Sequence, residues 1–292
     1  MNQDDAQQNS DTKGTHCGDG ETAGILARDD GTSIAYDALS RKGGALSRKG
    51  GAGQAKAGTG WGGVVFLHGL HSDRNGTKAL ATEAWCRAHG LPFVRFDMFG
   101  HGGSSGAFEE GTISRWTEDT LAVLDSLTQG PQILVGSSMG GWVMLRAALR
   151  RRDRVAALVG LAAAPDFTRD LMWRELSEDQ RNLIKSQGYI DLPSCYGPEP
   201  YRISRKLIED GEDNLLLDGP IALTCPVRLI HGQHDQDVPW RTALRLAERL
   251  ESDDVEVTVI KRGEHRLSEP SDLALLTRIL DGLLEDHQAA TN

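Results

Sequence analysis

Residues 132–142 read QILVGSSMGGW, an apolar run that enters a glycine-rich turn and continues into an apolar, helix-forming stretch. Ser138 lies at the centre of a G-x-S-x-G pattern, with a glycine two residues before it and another two residues after it. A serine on a tight turn between a buried strand and a helix is a nucleophile elbow, where bulky flanking side chains would collide. Ser137 lacks this spacing. The pattern therefore predicts Ser138 as a nucleophile, and the alternative is a turn that only caps the helix.

Apolar runs and helical stretches alternate on both sides of this turn. Continuous apolar strands separated by helices indicate a mostly parallel central sheet with helices on both faces. The alternation stops at Pro165 and resumes after Ala222, which predicts a helical lid insertion over residues 165–222 at the carboxyl ends of the strands. The predicted strands are 63–68, 92–97, 132–136, 155–161, 226–231 and 255–260; the predicted helices are 77–89, 113–127, 140–151, 240–250 and 272–284, with shorter ones at 177–186 and 203–210 in the lid.

The amino-terminal part of the chain differs in composition from the rest. Residues 1–22 are polar and lack hydrophobic periodicity, so we expect a disordered tail there and a folded domain over residues 23–292. Two short apolar runs flank Asp30-Gly31, which predicts a hairpin. The sequence LSRKGGA occurs twice in succession from Leu39. Two copies rich in Gly and Lys cannot bury a core, so residues 40–60 are predicted to be a duplicated surface loop.

The part of the chain that follows the predicted lid contains candidates for the acid and the base that a serine nucleophile needs. Asp235 follows the apolar strand VRLI, and His265 follows the strand EVTVI. Both therefore belong at the carboxyl edge of the sheet, beside Ser138, and both follow the nucleophile in chain order. Asp237 is the rival acid, with helix capping as its other role. We expect Asp235 to orient His265, and His265 to act as the base.

The loop after the first central strand, His68-Gly-Leu-His71, is a candidate to stabilise an oxyanion. Backbone amides supply this stabilisation in acyl transfer, and we expect the amides of Leu70 and Met139 to do so here. The histidine-rich strings at 68–71 and 231–235 lack the spacing of zinc ligands, so no metal is predicted. The expected chemistry needs no organic cofactor either.

Composition and charge limit the classes of partner. The chain has 42 acidic and 32 basic residues and a net charge of −10, which argues against nucleic acid as a partner. No apolar run is long enough for a membrane span. The N-terminus has neither an apolar signal core nor a basic transit-peptide composition, and the four cysteines are scattered. These features predict a cytoplasmic, reduced protein.

Several strings together resemble one known family. GSSMGGW at 136–142, APDFT at 164–168 and HRLS at 265–268 accompany LHGLHSD at 67–73, VRFDMFGHGGS at 94–104 and CPVRLIHG at 225–232. These resemble the α/β-hydrolase superfamily and, within it, the mycophenolic acid acyl-glucuronide esterases, whose mammalian member is also described as a mitochondrial palmitoyl-protein thioesterase. The resemblance covers roughly residues 61–284. It implies the α/β-hydrolase fold and hydrolysis of acyl esters or thioesters, in a small molecule or an acylated protein, with Ser138, Asp235 and His265 in the matching positions.

The predicted activity is that of a serine hydrolase that forms an acyl-enzyme on Ser138. The alternatives left open by the residues are carbon–carbon bond hydrolysis or peptidase activity on the same triad, and a non-catalytic binding protein on a hydrolase scaffold. Five lid residues are candidates to line an acyl-chain channel: Trp173, Leu176, Tyr189, Tyr196 and Tyr201.

Overall fold

The alternating strands and helices form one nine-stranded sheet in the part of the chain that the structure describes. The structure is a computed structural model that describes residues 14–17, 20–40, 61–193 and 200–291. The strands of the sheet are β1 (Gly14–Cys17), β2 (Glu21–Ala27), β3 (Ser33–Leu39), β4 (Gly63–Leu67), β5 (Phe93–Phe96), β6 (Gln132–Ser137), β7 (Val155–Leu161), β10 (Val227–Gly232) and β11 (Val255–Ile260); β8 (Tyr189–Leu192) and β9 (Tyr201–Ser204) form a separate hairpin. The helices are α1 (Thr77–Ala88), α2 (Ile113–Leu127), α3 (Met139–Arg150), α4 (Glu178–Gln187), α5 (Arg205–Asp213), α6 (Arg241–Arg249) and α7 (Pro270–Thr291).

The sheet has the order β1-β2-β3-β5-β4-β6-β7-β10-β11. The pairs from β5 to β11 are parallel, and the pairs from β1 to β5 are antiparallel. The central strands β4 and β6 are buried along their whole length, because helices cover both faces of the sheet. Successive side chains of β4 accordingly enter different cores: Val65 and Leu67 pack with α2 and α3, while Val64 and Phe66 pack with α1 and α7. The predicted α/β-hydrolase architecture is confirmed.

The amino-terminal strands correct one predicted boundary. Asp30-Gly31 forms the predicted hairpin turn, closed by a bond from the amide of Arg28 to the carbonyl of Thr32. However, Gly14–Cys17 pairs antiparallel with β2, which itself begins at Glu21, so the disordered tail predicted for residues 1–22 does not extend through these strands. Backbone hydrogen bonds form such an edge strand without any apolar periodicity. Residues 1–13 and residues 41–60 of the predicted duplicated loop lie outside the described residues.

The predicted lid contains a β-hairpin as well as helices. After β7 the chain forms a π-helix at Thr168–Trp173, then α4, the β8–β9 hairpin and α5. The helix predicted from residue 203 begins only at Arg205, because Tyr201–Ser204 pairs with Tyr189–Leu192 and Ser204 caps α5. These elements share a small apolar core of their own, made of Leu176, Ile184, Ile190, Ile203 and Ile208.

Buried polar contacts join the two ends of the lid to each other and join the lid to α3. Asp166, which follows β7 and is fully buried, accepts hydrogen bonds from the amides of Leu216 and Leu217, both at 2.8 Å. The indole N–H of Trp142 on α3 donates to the carbonyl of Asn214 at 3.1 Å. The first and last parts of the lid are therefore joined to each other, and the last part is also bonded to α3.

Candidate active site

Ser138 occupies a strained turn between β6 and α3. Its backbone angles are φ 52° and ψ −120°, a region that residues with a side chain rarely adopt. Hydrogen bonds to the neighbouring strand hold this conformation. The Ser138 amide donates to the carbonyl of Leu161 at 2.9 Å, and the Ser138 carbonyl accepts from Gly141 and Ala164. In this conformation the serine side chain lies at the carboxyl edge of the sheet, as expected for a nucleophile elbow.

The glycines around Ser138 are required by close backbone approach. A Cβ atom on Gly140 would lie 2.3 Å from the carbonyl oxygen of Leu67 and 2.5 Å from that of His68. A Cβ atom on Gly136 would lie 2.5 Å from the carbonyl oxygen of Gly140. These contacts involve backbone atoms that cannot turn away. The G-x-S-x-G pattern therefore has a steric cause in this fold, in addition to the conformation of the serine.

The side chains of Ser138, His265 and Asp235 form one hydrogen-bonded series. Nε2 of His265 lies 3.0 Å from Oγ of Ser138, and Nδ1 of His265 lies 2.8 Å from Oδ2 of Asp235. Since a carboxylate only accepts, Nδ1 carries the proton and Nε2 presents its lone pair to the serine. The three residues follow β6, β11 and β10 respectively, so the structure brings together the three residues predicted from their positions at strand ends.

Close packing of two loops places the acid and the base. A Cβ atom on Gly232 would lie 2.3 Å from the carbonyl group of Gly263, so these two glycines allow the loops after β10 and β11 to touch. The amide of His234 donates to the carbonyl of Gly263 at 2.9 Å, which joins the loops directly. The separation between Asp235 and His265 is thus fixed by the backbone as well as by the side-chain hydrogen bond.

The Asp235 carboxylate is buried and receives several donors. Oδ1 accepts the amides of Asp237 and Val238 at 2.9 and 2.8 Å. Oδ2 accepts His265 and lies 3.1 Å from Nε2 of His231. Burial acts to raise the pKa of Asp235, but the hydrogen bonds from His231 and His265 outweigh it and lower the pKa well below its usual value. Asp235 is therefore a stable anion beside the histidine.

The rival acid, Asp237, has a different position. Its side chain is exposed, whereas Asp235 is buried, and its backbone amide supports Asp235. The carboxylate at hydrogen-bond distance from His265 is that of Asp235. One oxygen of Asp237 does lie within 4.8 Å of ligand atoms of Asp235 and His265, a grouping that resembles a cation site. Because Nδ1 of His265 already donates its proton to Asp235, this geometry fits a proton relay better than a metal site.

The predicted oxyanion loop lies against the nucleophile. A Cβ atom on Gly69 would stand 3.3 Å from Cβ of Ser138. The buried ring of His68 fixes this loop: Nδ1 donates to the Gly69 carbonyl at 2.8 Å, and Nε2 accepts the Met98 amide at 3.0 Å. Burial lowers the pKa of His68, which suits a neutral ring with one donor and one acceptor. In a trans peptide the carbonyl and the next N–H point in opposite directions, so His68 sets the direction of the Leu70 N–H.

The Leu70 and Met139 amides have no acceptor in the described part of this site. Among the backbone bonds of the described loops, neither N–H donates to a carbonyl. Met139 is the first residue of α3, where helical amides lack intrahelical partners and favour negative charge. These two N–H groups, on the loop and on the helix, are the donors that the sequence predicted for an oxyanion.

The five predicted channel residues lie in different surroundings. Leu176 is buried in the lid's own core. The ring of Trp173 lies beneath two basic side chains of α4, those of Arg181 and Lys185. Tyr189 is covered by the guanidinium of a neighbouring arginine, and Tyr196 lies outside the described residues. Tyr201 instead faces the oxyanion loop, with its ring 5.2 Å from the ring of the histidine that follows Leu70. Tyr201 is therefore the member of the set placed beside the site.

Comparisons with known proteins agree with this architecture. Residues 62–194 match the family described as alpha/beta hydrolase fold. The mouse palmitoyl-protein thioesterase ABHD10 is 43% identical over 224 residues, which is 76% of this chain and 75% of the mouse protein. The chain belongs to the α/β-hydrolase family. The human ABHD10 protein is 41% identical over 231 residues, 79% of this chain and 75% of its own length. These relatives identify the chain as a hydrolase.

Solved structures resemble the whole described fold. The structure of mouse ABHD10 superposes with a TM-score of 0.78 at 38% sequence identity and covers 90% of this chain and 98% of its own. Est1E from Butyrivibrio proteoclasticus gives a TM-score of 0.70 at 21% identity, over 89% of this chain and 97% of its own, which is a likeness of fold alone.

The expected cellular location is corrected by these comparisons. The prediction of a cytoplasmic protein is wrong, because the five mammalian relatives, 41–43% identical, are all named as mitochondrial. A few scattered cysteines are compatible with any reducing compartment and do not separate one from another. Within the described ranges, no helix is long and apolar enough to cross a bilayer.

His231 is the residue of the site that sequence reasoning did not find. Its side chain is fully buried at the end of β10 and contacts the same carboxylate oxygen as His265. The available signal was its spacing, four residues before Asp235, within the string HGQHD. The spacing alone suggests a metal site at most, because the sequence does not reveal that the loop after β10 folds back over the strand that carries His231.

Proposed function

We propose that this chain is a serine hydrolase that cleaves carboxylic esters or thioesters through an acyl-enzyme on Ser138. The strongest support is the continuous hydrogen-bonded series from Ser138 through His265 to Asp235, on a serine held in a strained turn. A nucleophile, a base and an orienting acid in this geometry define acyl-transfer sites on unrelated folds. A binding protein would gain nothing from such a strained serine.

In the proposed mechanism, Oγ of Ser138 attacks the acyl carbonyl while Nε2 of His265 takes its proton. The oxygen of the tetrahedral intermediate accepts hydrogen bonds from the Leu70 and Met139 amides. His265 then protonates the leaving alcohol or thiol, which departs and leaves the acyl group on Ser138. Water, deprotonated by His265, releases the carboxylic acid and restores the serine. Asp235 stabilises the imidazolium formed in both halves, and no metal or organic cofactor takes part.

The acyl group and the leaving group are proposed from the relatives. Five mammalian relatives are named palmitoyl-protein thioesterases, so a fatty acyl thioester on a protein or a small molecule is the substrate class we propose. The lid, residues 165–222, would choose among acyl chains, because it begins just after the carboxyl end of β7 and is bonded to α3, the helix that follows Ser138. Carbon–carbon bond hydrolysis and peptidase activity use the same residues and are the outcomes against which the proposal is tested.

Labelling with a fluorophosphonate probe tests the nucleophile. Wild-type protein should be labelled, Ser138→Ala should not, and Ser137→Ala, the adjacent serine, should label normally. Ser138→Ala should also lower kcat by about 10⁴–10⁶-fold. Turnover is then compared on p-nitrophenyl esters of graded length, acyl-CoA, acyl-glucuronides and a palmitoylated peptide, and on unacylated peptides and substrates cleaved at a carbon–carbon bond. Turnover that survives in Ser138→Ala would refute the mechanism, and turnover confined to peptides or carbon–carbon bonds would refute the substrate class.

A further inference from the structure

The acid of the relay is shared between two histidines. Nε2 of His231 lies 3.1 Å from Oδ2 of Asp235 and 3.0 Å from the carbonyl oxygen of Val238. Both of these atoms only accept, so Nε2 of His231 carries a proton and donates it between them. The same Oδ2 accepts Nδ1 of His265 at 2.8 Å. Asp235 therefore binds one imidazole on the side of the nucleophile and a second one inside the protein.

Packing alone does not explain a histidine at position 231. The side chain is 0% exposed, and its Nδ1 is buried without a hydrogen-bond partner among the described residues. An unpaired buried polar atom destabilises a fold, whereas an aliphatic side chain on β10 would fill the same space without that cost. The contact with Asp235 is thus the feature of this ring that an apolar residue could not supply.

The two imidazoles compete for the negative charge of one oxygen. A hydrogen bond to a carboxylate oxygen lowers the basicity of that oxygen toward any other donor. With His231 in place, Asp235 stabilises the imidazolium form of His265 less than an unshared carboxylate would. The second bond also fixes the rotation of the carboxylate, whose Oδ1 is already held by the amides of Asp237 and Val238.

We propose that His231 is a positioning residue for the hydrolysis: it holds Oδ2 of Asp235 toward His265 and takes up part of the negative charge of that oxygen. This inference rests on the proposed function of Ser138, His265 and Asp235. His231 touches neither substrate nor nucleophile and acts only through the acid. The hydrogen-bonded series from Ser138 through His265 to Asp235 then has a fourth side chain, His231, at its buried end.

Other ionisable groups around the carboxylate act on a different part of a pH profile. Asp237 lies in the same loop, and Lys78 reaches the site from α1, where its ammonium group donates to the carbonyl of Arg266. Burial lowers the pKa of Lys78 to about 8, with Asp272 at the start of α7 and Asp235 opposing the shift. Lys78 therefore titrates on the alkaline side of a pH profile, away from its acid limb.

The test compares three substitutions at position 231. His231→Leu removes the donor, His231→Gln places an amide N–H near the position of Nε2, and His231→Asn places one too far from Asp235 to reach it. We expect His231→Leu and His231→Asn to lower kcat by about 10-fold, the order found when an outer hydrogen-bond partner of a functional histidine is removed. They should also move the acid limb of kcat/KM upward by about half a pH unit or more. His231→Gln should restore both values.

NMR of histidine-labelled protein reads the same effect without turnover. The pKa of His265 should rise in His231→Leu and His231→Asn and return in His231→Gln, while His234→Gln, an exposed histidine of the same loop, should leave it unchanged. If His231→Leu does not fold, the Asn and Gln variants carry the comparison. A lower Tm with an unchanged His265 pKa and acid limb would overturn the inference and leave His231 a structural residue. Failure of the proposed function differs, because Ser138→Ala would then retain the wild-type activity.

Discussion

The substitution Asp235→Asn tests the relay most directly, and the structure predicts how the new amide would lie. Oδ1 of Asp235 accepts two backbone amides, which cannot become acceptors. The oxygen of an asparagine must therefore stay on that side, and its NH₂ group must replace Oδ2. The NH₂ group then faces Nδ1 of His265, which in the native protein lies 2.8 Å from Oδ2 of Asp235. A donor in that place forces the His265 ring to accept at Nδ1 and to carry its proton on Nε2.

The consequence is a histidine of the wrong tautomer beside the nucleophile. Nε2 of His265 lies 3.0 Å from Oγ of Ser138 and could no longer accept the serine proton. The equivalent substitution in the serine-protease triad lowers kcat by about 10⁴-fold for this reason, which corresponds to about 5.5 kcal/mol in the barrier. We expect a loss of that order for Asp235→Asn, with the fold retained.

The assay is kcat/KM on a p-nitrophenyl ester, measured for Asp235→Asn and for the matched control Asp237→Asn. The control changes an exposed carboxylate two residues away and should alter the rate less than threefold or so, since surface substitutions have small effects. Tm values for both variants show whether the fold is intact. A larger loss for Asp237→Asn than for Asp235→Asn, or a loss below tenfold for Asp235→Asn, would refute this assignment of the acid.

Three further predictions follow from contacts in the same region. Gly140→Ala should lower the free energy of unfolding, measured by urea titration, by ~1–3 kcal/mol, because the new Cβ would clash with the carbonyl oxygens of Leu67 and His68. The control Gly282→Ala, with nothing within 4 Å of the new Cβ, should leave the free energy of unfolding unchanged or raise it. Equal losses in the two variants would contradict the steric argument. Tyr201→Ala should change the ratio of kcat/KM between long- and short-chain esters by about 10-fold, within the ~1–3 kcal/mol expected for such a contact. The control Tyr189→Ala should leave this ratio unchanged. If Tyr201→Ala lowered kcat/KM for both esters by the same factor, Tyr201 would only stabilise the lid. Because folding lowers the pKa of Asp235, its charge stabilises the folded protein at any pH above the pKa in the unfolded chain, about 4, and this contribution is lost progressively as the pH falls from there toward the lower pKa in the folded protein. The Tm difference between wild type and Asp235→Asn should therefore shrink from pH 7 to pH 3. A Tm difference that stays constant would contradict this stabilisation.

The elements that the sequence predicted well share a strong local signal. Val64, Phe66 and their neighbours form a continuous apolar run, so β4 was recognisable without tertiary information. The positions of Ser138, Asp235 and His265 after such runs were enough to place them on one edge of a parallel sheet. Chain order and strand polarity thus carry most of the information about this site.

The elements that sequence analysis missed depend on contacts between distant or weakly patterned segments. Tyr189–Leu192 and Tyr201–Ser204 are four residues each, too short for a period to be read, and they pair across an intervening Pro-rich stretch. Gly14–Cys17 joins the sheet through its backbone alone. The role of His231 required knowing that the chain turns back after Gly232 so that Val238 and Asp235 lie over the ring.

The lid enters the sheet between two strands that are direct neighbours, and this affects how the protein can change over evolution. β7 and β10 pair in register, Val227 with Leu158 through Ile230 with Leu161, although more than sixty residues separate them along the chain. The ladder is complete without any residue of the insertion, whereas Leu216, Leu217 and Ile221 of the insertion pack into the main core. Exchanging the part of the segment outside that core for a longer, shorter or differently folded one therefore leaves the alignment of Asp235 with Ser138 intact. Under the proposed function, selectivity for the acyl group is separable from the chemistry, and a lineage can acquire a new substrate through one contiguous replacement while the four strands that end beneath the site stay as they are.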